Sequence, residues 1–163
     1  MNLTALMKNK VVQPVSEIKD DYERQLELIV RDLQQAKIET HDPAWRYVMG
    51  FNALAGLSRL VLLLQGLKAT GLYGTSVSIN LMVHFANSKL SLPPKDDLIR
   101  MRNRRNELMY RNAVSPEKEE IEELIAIVEK IYSILLVSPW RNHPYSQCTF
   151  GLSLLSTKYW SAS

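Results

Sequence analysis

Apolar residues recur every three to four positions along most of this chain, which is the spacing of an amphipathic helix. The first such stretch predicts a helix that begins with Ser16 as its N-cap and ends near Ile38. Six glycines and seven prolines are few for the tight turns of an all-β protein. The pattern therefore predicts an all-α fold. The apolar stripe of the first helix consists of Ile18, Tyr22, Leu26, Ile29, Leu33 and Ala36.

A second helix is predicted from Pro43 to about Leu67, because Asp42 is a good N-cap and proline suits the first helical position. This helix is apolar on nearly all sides, which is typical of the central helix of a bundle. Its most apolar part, residues 53–67, is shorter than the roughly 18 to 20 residues that cross a bilayer, and it contains Arg59. We therefore expect a core helix and no membrane span.

Three more helices complete the predicted fold. Two of them are predicted at Ser76–Ser88 and Asp97–Asn112. The last begins with Ser115 as its N-cap and Pro116 in the first position, and it ends before Pro139. The length of the chain favours a single domain. We expect an up-and-down bundle of four to five helices. The chain is then divided into an N-terminal arm (1–15), the helical bundle (16–137) and an aromatic-rich C-terminal tail (138–163).

Composition restricts the partners, the cellular compartment and the cofactors that are expected for the protein. The net charge of +3 is too small to require a polyanionic partner by itself. The single cysteine cannot form an internal disulfide, and the first residues show no signal-peptide pattern, so we expect a cytoplasmic protein. His41, His84 and His143 lack metal-ligand spacing, and we expect neither a metal nor another cofactor.

The segment DLIRMRNRRNELMYRN, Asp97–Asn112, carries five arginines against two acidic residues. With about 100° per residue on a helix, Arg105 falls on the same side as the apolar residues. Its charge must find a partner or water there, because burying an unpaired charge is strongly unfavourable. Arg102, Asn106 and Tyr110, spaced four apart, form a polar row beside Arg105. The far side, where we expect the arginines to be solvated, holds Arg100, Arg104, Glu107 and Arg111.

Two interpretations of Arg105 stay open. It can form an ion pair, within the chain or between subunits, with Asp96, Asp97 or a glutamate of the next helix, and such structural pairs are commoner than ligand sites. Alternatively, its guanidinium can hold a phosphate with two parallel hydrogen bonds. In that case Asn106 and Tyr110 supply further hydrogen bonds and an aromatic face for a base.

The segment RNRRNELMYRNAVSPEKEEIEELIAIVEKIYSIL joins an arginine-asparagine pair, with a tyrosine five residues after the arginine, to an acidic and leucine-rich helix. The earlier segment DLQQAKIETHDPAWRYVMGFNALAGLSRLVLLLQGLKATG runs from the end of one helix into a long core helix and a glycine-ended loop. Together, over roughly residues 20–137, they resemble the HEPN domain family. The resemblance implies a bundle of four or five helices that pairs into a homodimer, with Arg105 lining a cleft between the two copies.

Many HEPN proteins are metal-independent ribonucleases, often toxins neutralised by a nucleotidyltransferase-type partner, and their motif pairs an arginine with a histidine a few residues later. The resemblance makes Arg105 and Tyr110 the candidate catalytic residues, and Arg102 and Asn106 the candidate ligand-binding residues. Tyr110 stands in the place of the histidine, and Asn112 in that of a tyrosine that partner transferases can modify. With a reference pKa of about 10, tyrosine is a poor general base near neutrality. A divergent branch of the family carries this tyrosine, generally without an assigned activity.

Three functions follow as hypotheses. The preferred one is a HEPN-type domain that binds RNA or a nucleotide phosphate in a dimer cleft, as a toxin–antitoxin component with weak or no catalysis. The second is an active metal-independent HEPN endoribonuclease, in which Arg105 stabilises phosphorane charge and Tyr110 or His84 moves protons. His84 is otherwise expected to be a core histidine. The third is a non-catalytic protein-interaction bundle, in which Arg105 pairs with a carboxylate across the subunit boundary.

Overall fold

The computed structural model describes residues 3–15, 18–71, 74–86, 92–111 and 113–137. This part of the chain is mostly helical, as predicted, and contains six helices and two short strands. The predicted aromatic-rich tail, 138–163, and Asn112 lie outside the described residues. In chain order the elements are α1 (Leu3–Lys8), β1 (Val12–Pro14), α2 (Ile18–Lys37), α3 (Pro43–Leu64), β2 (Leu67–Ala69), α4 (Gly74–Ala86), α5 (Lys95–Tyr110) and α6 (Lys118–Val137).

Helix α3 is the centre of the fold, and its predicted start is confirmed. The Asp42 side chain accepts a hydrogen bond from the backbone N–H of Trp45 at 3.0 Å, and Pro43 occupies the first turn. Helices α2, α4, α5 and α6 all pack against α3. By length and composition alone α3 could cross a membrane, but most of it is buried inside the bundle. Packing on several sides accounts for its apolar composition.

The apolar stripe predicted for α2 forms part of the core. In α2, the predicted apolar residues from Tyr22 to Ala36 are buried against α3, while the side chain of Ile18 lies outside the described residues. Two buried polar groups of α3 are hydrogen-bonded. Arg46 donates from Nε to the carbonyl of Ala36 at 2.9 Å, near the end of α2, and Ser58 donates to the carbonyl of Ala55 at 2.7 Å. The α6 side of the core consists of Ile121, Leu124, Ile125, Val128, Ile131, Tyr132 and Leu135.

The all-α prediction missed a small antiparallel sheet. Strand β1 pairs with β2 in the register Val12↔Ala69 and Pro14↔Leu67. Each strand has three residues, too few to show the alternation by which a strand is recognised in a sequence. Val12 and Leu67 belong to a second apolar cluster at the end of α3. The described part of the predicted N-terminal arm therefore folds back on the bundle.

Several helix ends differ from the prediction. Helix α6 begins at Lys118, so Ser115 is not its N-cap, and Pro116 is buried in the irregular segment before the helix. The first hydrogen bond of α6 joins the N–H of Ile121 to the carbonyl of Glu117 at 3.3 Å. Helix α3 ends at Leu64, three residues before the predicted end, because Gly66 (φ 70°) turns the chain into β2.

Candidate functional site

Helices α2, α3, α4 and α5 enclose a cleft of about 670 Å³. Its inner wall is formed by Phe51 and Ala55 of α3, and its polar lining comes from all four helices. The volume lies within the range of about 300–1,000 Å³ that is typical of small-ligand sites. Three of the four residues proposed from the sequence line this cleft, namely Arg102, Arg105 and Asn106. The other polar lining residues are Gln25, Arg31, Asp32, Asn52, Arg59, Thr75 and Ser76.

Arg105 lies partly buried in the wall of the cleft. Its Nη1 donates to the Oδ1 of Asn106 at 3.2 Å, and its Nε, which is shielded from solvent, has no hydrogen-bond partner among the described residues. The intramolecular ion pair with Asp96, Asp97 or a glutamate of α6 is not formed in the described part of the chain. Arg105 therefore lines the cleft with a positive charge that no carboxylate of the described residues neutralises.

Arg102 lies one turn earlier on α5 and joins that helix to the start of α4. Its Nη1 donates to the Oγ of Ser76, and its Nη2 donates to the Oδ1 of Asn103 at 3.0 Å. Its Nε is shielded from solvent and lacks a described hydrogen-bond partner, as does that of Arg105. Two neighbouring guanidinium groups are thus held in the cleft by neutral partners, which leave their positive charge intact.

Arg59 supplies the third such charge, from the opposite helix α3. Its Nη2 donates to the Oγ1 of Thr75 at 3.2 Å. Arg59 as a whole is exposed, but partial desolvation lowers the pKa of its guanidinium. An arginine pKa starts so high that the group stays charged near neutrality. Sequence reasoning missed this residue and read it only as an interruption of an apolar run. Asn52 precedes Arg59 by seven positions, or two helical turns, so both polar residues lie on the same face of α3. Two polar residues at this spacing in an otherwise apolar helix are the sequence feature that indicates a site on that face.

The charges around the cleft do not balance. Four arginines line it, while Asp32 is the one carboxylate among its described lining residues. Asp32 is already occupied, since it accepts hydrogen bonds from Nε and Nη2 of Arg31 at 2.9 and 2.7 Å. Arg59, Arg102 and Arg105 form no ion pair with any described carboxylate. A concave surface with three unneutralised guanidinium groups is suited to an anion such as phosphate.

The other arginines of α5 are used differently. Arg104, predicted to be solvated, forms an ion pair from Nε to the Oε1 of Glu120 at 2.8 Å and donates from Nη2 to the carbonyl of Val114 at 3.0 Å. The hydrogen bond to Glu120 raises the pKa of Arg104. Arg100 pairs with Asp97 at 3.1 Å. The expected glutamate of α6 thus holds an arginine of α5, but the arginine is Arg104 and not Arg105.

Two candidate proton carriers lie outside the cleft lining. The Tyr110 side chain is 72% exposed, with its ring centroid 6.0 Å from the Cζ of Arg105. His84, expected to be a core histidine, is exposed and packs against Phe85 with ring centroids 5.5 Å apart. No group of three or more His, Cys, Asp or Glu side chains among the described residues could hold a metal ion. The described lining of the cleft contains no histidine.

Comparison with known proteins adds no family to this picture. No family model matches the chain, and no curated protein or solved structure matches it. The resemblance to HEPN domains stays a prediction, which rests on the spacing of Arg105, Asn106 and Tyr110 and on the helix pattern around them. The geometry of the cleft, in contrast, is independent of that resemblance.

Proposed function

We propose that the chain is a HEPN-type helical domain that binds RNA, or the phosphate of a nucleotide, in the cleft between α2, α3, α4 and α5. The observation that carries this proposal is the convergence of Arg59, Arg102 and Arg105 without a carboxylate partner among the described residues. Cations that line one cleft without a carboxylate partner attract an anion, and a phosphate can accept two parallel hydrogen bonds from a guanidinium. The cleft is therefore better suited to a phosphate-containing ligand than to a neutral one.

The geometry favours binding over efficient cleavage. Cleaving RNA through its 2′-hydroxyl requires a group that accepts a proton near neutrality. The carboxylate of Asp32 is held by Arg31, and Tyr110 lies beside the cleft rather than in its lining. These placements support weak or absent catalysis over the alternative of an active endoribonuclease. A concave, water-accessible arginine cluster likewise supports ligand binding over a bundle that serves protein contacts alone.

The proposal includes a homodimer in which the α5 helices of two copies face each other. Its support is two large apolar residues that are exposed near the end of the α5 sequence, Met109 within the helix (43%) and Val114 in the segment that follows it (81%). Exposed apolar side chains are often covered when a second protein chain binds. From the HEPN resemblance we further propose a cytoplasmic toxin–antitoxin component with a nucleotidyltransferase-type partner protein.

Incubating the purified protein with labelled single-stranded RNA in EDTA tests binding and cleavage in one sample. We expect saturable binding by fluorescence anisotropy and RNA of unchanged length on a denaturing gel, because the cleft holds cations but no described group suited to remove the 2′-hydroxyl proton. EDTA removes the contribution of contaminating metal-dependent nucleases.

Two results would contradict this expectation. Cleavage that disappears in the Arg105→Ala variant would establish the ribonuclease alternative. Absence of binding even at low salt, where contacts to phosphate are strongest, would reject the proposed ligand altogether.

A further inference from the structure

We infer that the site extends beyond the cleft and takes single-stranded RNA of several nucleotides, whose backbone passes Arg59 into a second basic hollow beside Arg24 and Lys68. This inference rests on the proposed function, since it specifies which form of RNA fits the same site. It concerns residues that the sequence pattern and the HEPN resemblance do not mark.

The second hollow adjoins the cleft. It has a volume of about 200 Å³ and lies between the start of α2, the end of α3 and strand β2. Gln25 and Arg59 line both spaces, so each space opens onto the same two side chains. Arg59 therefore stands at the junction, where a ligand that leaves the cleft would meet its guanidinium.

The second hollow continues the positive surface of the cleft. Besides Arg59 it is lined by Arg24 of α2 and Lys68 of β2, both exposed, against a single described carboxylate, that of Asp21. Neither Arg24 nor Lys68 forms an ion pair with a described acidic residue. Their charges are available to successive phosphates of one chain.

The small sheet explains why Lys68 reaches this position. Side chains alternate across a strand, so Leu67 of β2 is buried in the second apolar cluster while Lys68 is exposed. Pairing of Lys68 with Gln13 of β1 fixes the strand in this register. The element that the sequence analysis missed thus positions a cation of the proposed track.

The shape of the two spaces favours a single strand over the other forms of RNA. A nucleoside monophosphate has a single phosphate group. Bound in the cleft, it would make no use of Lys68. Duplex RNA is a rigid helix that proteins recognise across its minor groove, and such a helix is too bulky to enter a cleft of about 670 Å³ between four helices. A flexible single strand can follow a basic groove and stack its bases on aromatic rings. The exposed ring of Tyr110, beside Arg105, is available for such stacking.

The test compares oligouridine RNAs of two, four, eight and twelve nucleotides, with affinity measured by fluorescence anisotropy at several salt concentrations. We expect affinity to rise with length up to about eight nucleotides. The variant Arg24→Ala/Lys68→Ala should bind the octamer roughly 25-fold more weakly near 0.1 M salt and with a salt slope smaller by about 1.4, as two lost phosphate contacts require. Its affinity for the dinucleotide should stay unchanged.

The matched control is Lys118→Ala/Lys130→Ala, which removes two exposed positive charges from α6, a helix that lines neither space. If Arg24→Ala/Lys68→Ala binds the octamer as the control does, or if the dinucleotide binds as tightly as the octamer, the extended site is rejected. The proposed function fails separately, when Arg102→Ala/Arg105→Ala leaves the affinity for every length unchanged. Thermal unfolding of each variant shows that the fold is kept.

Discussion

The double variant Arg102→Ala/Arg105→Ala is expected to bind single-stranded RNA at least about 25-fold more weakly than the wild-type protein near 0.1 M salt. Each contact to a phosphate of a single strand contributes about 0.7 to the salt slope, so losing two contacts also lowers that slope by about 1.4. Both side chains line the cleft and lack a described carboxylate partner. Anisotropy titrations at several salt concentrations measure both quantities.

The control for this prediction removes two positive charges from the same helix without touching the cleft. Lys95 and Arg100 are exposed on α5 and do not line the cleft. We expect Lys95→Ala/Arg100→Ala to keep most of the affinity, because charges outside the site act only through the screened long-range field. An equal loss in both double variants would mean that RNA responds to net charge, and the cleft would have no special role.

Replacing Gly56 by alanine is expected to lower the free energy of unfolding by about 1 to 2 kcal/mol. Helices α2 and α3 meet closely at this glycine, where an added Cβ would lie 2.6 Å from the Cγ1 of Ile29 and 2.9 Å from the Nε2 of Gln25. The fully buried Ile29 must shift, and the resulting strain outweighs the helix propensity of alanine, worth about 1 kcal/mol over glycine. Urea unfolding followed by circular dichroism measures the difference.

Gly50 provides the matched substitution on the same helix. There an added Cβ would lie 3.2 Å from the Cδ2 and 3.3 Å from the Cγ of buried Leu124, so that side chain has to shift far less than Ile29 does at Gly56. Gly50→Ala is therefore expected to be neutral or stabilising by up to about 1 kcal/mol. Equal stabilities of the two alanine variants would show that α2 and α3 are not in close contact at Gly56.

The parts of the fold that could be predicted are those set by local sequence. The stripe of α2 and the Asp42–Pro43 start of α3 depend on residues a few positions apart, and the structure confirms both. The sheet could not be predicted, since the whole of α2 and α3 separates Val12 from its partner Ala69 in the sequence, and each strand is short. Long-range pairing of this kind leaves no periodic signal in the sequence.

In the candidate site too, the features set by local sequence could be predicted, while those set by packing between helices could not. Arg102, Arg105 and Asn106 could be placed on one side of α5 from helical spacing alone, and they do line one cleft. Helical spacing places Arg104 and Arg105 on different sides of α5. Which of them would meet Glu120 could not be predicted, because the packing of α6 against α5 decides which side faces that glutamate. Arg59 belongs to another helix, and its approach to α5 is decided by packing.

The most direct test of the account observes the guanidinium groups themselves. In a spectrum of the ¹⁵N-labelled protein, the Nε–Hε signals of arginine can be assigned with single Arg→Lys variants. On titration with octameric RNA, we predict that the signals of Arg102 and Arg105 shift, because a phosphate bound in the cleft by their guanidinium groups changes the environment of each neighbouring Nε–Hε. The signal of Arg104, held by Glu120 at 2.8 Å, should stay in place. Unchanged signals of Arg102 and Arg105 at saturating RNA would contradict a phosphate-binding cleft.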